Sequence, residues 1–162
     1  MPADGHSHHH QGASSEPDLN RTALSATIHC LTGCAIGEVL GLVIGTALGL
    51  GTAQTIILAV ALAFLFGYAL TMLPLLRSGL TFGTALSLAL AADTASITIM
   101  EIVDNLIMLV IPGAMDAGLT SPLFWGSLAA SLLVAGAFAF PLNRWLISRG
   151  RGHAIVHSFH GH

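Results

Sequence analysis

From Gln54 to Leu76 the chain carries no charged side chain, and the run "QTIILAVALAFLFGYALTMLPLL" is apolar almost throughout. As a helix it is long enough to cross the hydrocarbon core of a bilayer, which takes about 20 residues. Three further stretches meet the same test, about Thr22 to Leu50, Leu80 to Ile111 and Pro122 to Ile147. Inside lipid a chain segment must satisfy its own backbone polar groups, which restricts it to helices or closed barrels. Runs of this length predict an all-α membrane protein with four transmembrane helices and short loops. Only 8% of the residues are charged, against about a quarter in soluble domains, so water does not solvate most of the surface. The breakers agree with the division. Gly49, Gly51 and Gln54 mark the first turn, Pro74, Ser78 and Gly79 the second, and Pro112, Gly113, Gly118 and Pro122 the third.

Arginine placement predicts the orientation, because cytoplasmic loops carry the excess of basic residues. Arg21 precedes the first span, Arg77 lies between the second and third, and Arg144, Arg149 and Arg151 close the fourth. Four crossings put all these positions on one side, so both termini are expected in the cytoplasm and the protein in the inner (plasma) membrane as a multi-pass chain. The leader, residues 1–20, is polar and lacks an apolar core, which excludes a cleavable signal peptide. It reads as a disordered His-rich tail, followed by a transmembrane domain over residues 21–150 and a second cytoplasmic His-rich tail over 151–162. The chain has no lysine and a formal net charge of −3. It therefore lacks the basic footprint of a nucleic-acid partner.

Within the first span, "HCLTGCAIGEVLGLVIGTALGLG", glycines recur every four residues at Gly33, Gly37, Gly41, Gly45 and Gly49, and His29 continues the row. Small residues at this spacing let helix backbones approach closely in a membrane. A helix is expected along this stripe, and because four helices make a thin wall for a pathway a homo-oligomer is expected too, with the stripe as one place for the joint. A second row, Cys30, Cys34 and Glu38, lies rotated about 100° from the first. An ionisable group at bilayer depth costs roughly 2.5 kcal/mol or more and by default marks a functional site.

The third span supplies candidate partners. In "ALAADTASITIMEIVDN", Asp93, Ile97, Met100, Glu101, Asp104 and Met108 share one helical face. Thr94, Thr98 and Asn105 flank it. Counted from the cytoplasmic ends, Cys34 lies about 18 Å deep and Asp93 about 20 Å at 1.5 Å per residue. Half of the eight acidic residues thus fall within predicted spans, without a basic residue at their depth. Buried negative charges without a base require protons, cations or water.

These residues nominate His29, Cys30, Cys34, Glu38, Asp93, Glu101 and Asp104 as metal ligands, with Thr94, Met100, Asn105, His153 and His157 as secondary candidates. Thiolate and imidazole favour copper or zinc as the bound transition-metal ion, and the carboxylates leave iron and manganese open. The expected function is binding or transport of that cation through an intramembrane site, with the lipid bilayer as surroundings and no catalytic residue assigned. Two alternatives differ in class. One is a membrane thiol–disulfide oxidoreductase using Cys30 and Cys34, although helical neighbours four apart reach disulfide geometry only with local distortion. The other is a noncatalytic membrane assembly subunit whose acids are all protonated. Histidines at both ends also fit metal collection near the inner mouth.

The elements "HCLTGCAIGEVLG", "ALAADT", "MEIVDN", "PGAM", "LFWGS", "FPLNRWL" and "RGHAIVH" resemble those of a family of small bacterial four-helix integral membrane proteins classified only as a domain of unknown function. The resemblance runs from Arg21 to His157. It implies the membrane fold and the importance of His29, Cys30, Cys34, Glu38, Asp93, Glu101, Asp104 and Asn105. It implies no substrate.

Overall fold

The computed structural model describes residues 16–149. They form four helices, α1 (Glu16–Ala47), α2 (Thr52–Arg77), α3 (Phe82–Val110) and α4 (Pro122–Ser148). All four are long and apolar enough to cross a membrane. Each helix packs against its chain neighbours, α4 returns to pack on α1, and α1 and α3 touch across the diagonal. His153 and His157, like the histidines of the leader, lie outside the described residues.

Turn chemistry fixes where the first two helices stop. Gly49 and Gly79 adopt positive φ of 64° and 92°, a conformation open to glycine at little steric cost. Leu50 N–H donates to Gly45 O at 2.8 Å and Leu80 N–H to Leu75 O at 3.3 Å, which closes each helix end in the Schellman manner. The fourth helix starts with Ser121, whose hydroxyl accepts from Leu123 N–H at 3.2 Å, and Pro122 occupies the position where its missing N–H costs nothing. Pro74, expected in the second turn, instead lies inside α2, which runs on to Arg77.

The first helix corrects the expected boundary of the N-terminal tail. It begins at Glu16, so residues 16–20 are helical rather than part of a disordered leader. Two causes are visible. Glu16 and Asp18 place negative charge in the first turn, where the helix dipole favours it. Arg144 of α4 clamps the same turn, donating from its guanidinium to Glu16 Oε2 at 2.7 Å and to Asn20 Oδ1 at 2.7 Å.

Polarity is distributed as a bilayer requires. Leu24, Ile57, Leu65, Val110, Leu133 and Phe138 all point outward and are more than half exposed, presenting hydrocarbon to hydrocarbon. The interior holds Thr27, Ser96, Ser127, Ser131 and Asn143 beside small apolar residues. Asn143 of α4 donates its amide to the Thr27 hydroxyl of α1 at 2.9 Å, and Thr27 in turn donates to Ala23 O. Trp125 and Trp145 stand near opposite ends of α4, the first bonded to Leu119 O at 2.8 Å and the second under the Arg149 guanidinium, as residues at the two membrane interfaces do.

The glycine row is covered from within the chain. A Cβ added to Gly33 would stand 2.7 Å from Gly67 Cα, and one on Gly41 would stand 2.5 Å from Ala59 Cα. Gly37 meets Ala63 and Gly45 meets Thr55 in the same antiparallel register. Van der Waals contact at this range is what small residues contribute between membrane helices. Within the described residues, α2 occupies this stripe.

Candidate functional site

With α2 seated on the glycine row, the row about 100° further around α1 turns toward the diagonal and α3. Cys30, Cys34 and Glu38 lie four residues apart on α1, and Asp93, Glu101 and Asp104 lie on the buried face of α3. They meet in chain order. The Cys30 Sγ is 3.9 Å from Asp93 Oδ1, while Cys34 and Glu38 lie within electrostatic range of Glu101 and Asp104 respectively. Pairs that ascend together on both helices mean that α1 and α3 run parallel, as alternating crossings require.

Burial makes the seam unusual. Cys30 and Cys34 are 2% and 1% exposed, and Asp93, Glu101 and Asp104 are 6%, 5% and 2% exposed. Enclosed oxygens lack a hydrogen-bond partner on every acid of the seam: Asp93 Oδ2, Glu38 Oε1, both Glu101 carboxylate oxygens and Asp104 Oδ1. Leaving a buried polar group unpaired costs about 1–3 kcal/mol, more for a charged one. Among the described residues no arginine side chain joins the seam. The ion pair of Arg144 is made with Glu16 instead, at the end of the bundle.

The first pair gathers further groups. His29 ends the glycine row and lies beside Asp93, with its Nε2 enclosed and unpartnered. Thr71 of α2 lies near Asp93, and the α1–α2 register that matches Gly33 with Gly67 puts Thr71 level with His29. Ser96 is wholly buried beside Cys30. Met100 is wholly buried in the same packed cluster as both thiols. Ser96 shares the Asp93 face by helical spacing, so sequence periodicity held a signal for it. Thr71 had none until the register between the helices was known.

Beyond the last pair the bundle opens. A cleft of about 360 Å³ has Glu38 and Asp104 in its lining, together with Asn105, Thr55 and Asp116. Asp116 belongs to the α3–α4 loop and was not singled out by its sequence context. Asn105 donates its amide to Glu101 O at 2.9 Å, so its own carbonyl oxygen stays available. Thr94 stands apart. It is exposed on α3, bonded to the Tyr68 hydroxyl at 2.9 Å and to Leu90 O at 2.6 Å, and takes no place in the seam.

Chemically, the seam is a ladder of two-sided rungs, sulfur with carboxyl twice and carboxyl with carboxyl once. Both cysteines are free. Among the described residues no three His, Cys, Asp or Glu side chains gather into a group able to hold a metal ion. The rungs thus offer paired donors at successive depths rather than one closed cage.

A helical bundle of four membrane-crossing segments, with an acidic and sulfur-bearing interior seam, is the class of protein that fold and site define. Residues 19–152 match the family described as Domain of unknown function (DUF4396), and the chain belongs to that family. Comparison with curated proteins and with solved structures gave no match.

Proposed function

We propose that the protein binds a transition-metal cation within the bilayer and passes it along the α1–α3 seam, with both termini on the cytoplasmic face of the inner membrane. One observation carries this reading: Cys30, Cys34 and Glu38 converge on Asp93, Glu101 and Asp104, and enclosed acid oxygens there have no protein partner. Unpaired acids and thiols at membrane depth call for a cation or a proton. Thiols distinguish the two, because protons need no soft ligand.

Copper or zinc suits the sulfur rungs best, since soft thiolate and thioether ligands select monovalent copper and zinc. Two thiols with Met100 packed against their cluster would give such an ion sulfur donors without a third residue of the His, Cys, Asp and Glu set. Iron and manganese fit the carboxyl end of the ladder better than the sulfur end. A thiol–disulfide exchange role is disfavoured by access, because both sulfurs are almost fully enclosed and exchange needs an exposed thiolate.

Metal content tests the reading. Full-length protein without an added tag, purified from cells given copper or zinc, is compared with C30S/C34S. The expected result is a loss of bound metal in the double variant that the His-rich ends, common to both proteins, do not mask. Equal content in the two would remove the site.

A further inference from the structure

We propose that the cleft at the loop end of the bundle is an outer station where a partly hydrated divalent cation is held between the Glu38 and Asp104 carboxylates before it loses water to the sulfur rungs. This deepens the cation reading and rests on its zinc form, the divalent one of the two ions that the sulfur rungs favour. Three observations place the station. Asp104 is only 2% exposed, yet it forms part of the cleft wall. Its Oδ1 and the Oε1 of Glu38 are enclosed without a hydrogen-bond partner, and both residues line the same cleft.

Volume and lining select the state of the ion. About 360 Å³ has room for roughly ten waters at about 30 Å³ each. Besides the two carboxylates, Asn105, Asp116 and three threonines offer oxygen ligands in a wall that is otherwise apolar. A divalent cation that keeps several of its waters can be held by one or two carboxylates, and Glu38 and Asp104 line the cleft. The sulfur rungs deeper along the seam would then take the ion only after its water is shed. Asp116 is part of the same lining, and a negative charge in a cleft raises the local cation concentration.

Cysteine labelling in full-length protein in lipid nanodiscs tests this, with manganese as the probe because it prefers oxygen to sulfur ligands. Leu42 lines the cleft, whereas Val43, 41% exposed, lies outside that lining. Leu42→Cys is expected to react with a water-soluble maleimide at least about tenfold faster than Val43→Cys, as hydrated and lipid-facing thiols differ in thiolate access. Millimolar manganese should slow Leu42→Cys about fivefold or more, and Asp104→Asn or, separately, Glu38→Gln should abolish the slowing through loss of a carboxylate ligand. Equal labelling at the two positions, or labelling that manganese leaves unchanged, overturns the station. Protection by manganese that persists in C30S/C34S upholds the station even where that variant retains its full copper and zinc content and the sulfur site fails. Sulfur-dependent metal content without manganese protection sinks the station alone.

Discussion

The Cys30 thiol of α1 and the Asp93 carboxyl of α3 meet across the bundle diagonal, with Sγ 3.9 Å from Oδ1. The two helices touch less than neighbouring helices do, so this pairing depends on how α2 and α4 hold them. It makes Asp93 the acid nearest the sulfur end of the ladder. Asp93→Asn keeps the shape and removes the charge. It is expected to weaken copper or zinc binding about tenfold, a difference of ~1.4 kcal/mol, while circular dichroism stays that of the wild type. Unchanged affinity would detach Asp93 from the metal.

Close approach of α1 and α2 depends on missing side chains. A Cβ on Gly37 would run into Ala63, backbone included. Overpacking of this kind costs about 1–3 kcal/mol, so Gly37→Ala should lower the thermal transition in detergent by several degrees. Gly126 has open space where its Cβ would be, and Gly126→Ala should leave the transition in place. Equal effects at the two positions would refute the close packing.

The buried link between Asn143 and Thr27 ties α4 to α1 below the seam. Interhelical hydrogen bonds in membranes average about 0.6 kcal/mol, so Asn143→Ala should cost about that or somewhat more, since the Thr27 hydroxyl loses its donor. Denaturant titration reads the change. Asn143→Asp would not substitute, because a carboxylate adds charge and removes the donating amide.

At the bundle end, Arg144 spans from α4 to Glu16 and Asn20. The ion pair is 37% and 78% exposed on its two sides, and surface pairs contribute between nothing and about 1 kcal/mol. Arg144→Ala is therefore expected to leave global stability almost unchanged while hydrogen exchange over residues 16–20 accelerates. Exchange that does not change would show that the first turn holds without the clamp.

How much of this was legible in the chain depends on which force decided each part. Long apolar runs such as Gln54 to Leu76 fixed the four crossings, because hydrocarbon tolerates no other chain path. Four-residue spacing showed the Gly33 to Gly49 row and the Cys30, Cys34, Glu38 row as separate stripes, and helical spacing put Asp93, Glu101 and Asp104 on one face. Periodicity within a helix says nothing of what lies opposite. That α2 covers the glycines, and that Thr71 comes level with His29, follows from tertiary register. Residues 16–20 read as tail because their sequence is polar. Arg144, more than a hundred residues away, holds them helical. The cleft is built from the α1 end, the start of α2 and the α3–α4 loop, elements that only folding brings together.

X-ray absorption at the copper or zinc edge tests the central claim most directly, since it reads the atoms around the ion in the wild-type protein and in C30S/C34S. The expected wild-type spectrum contains sulfur neighbours at about 2.3 Å if the ion is zinc, and these vanish in the double variant. A wild-type spectrum with only nitrogen and oxygen neighbours, unchanged in C30S/C34S, would contradict a metal site built on the α1–α3 seam.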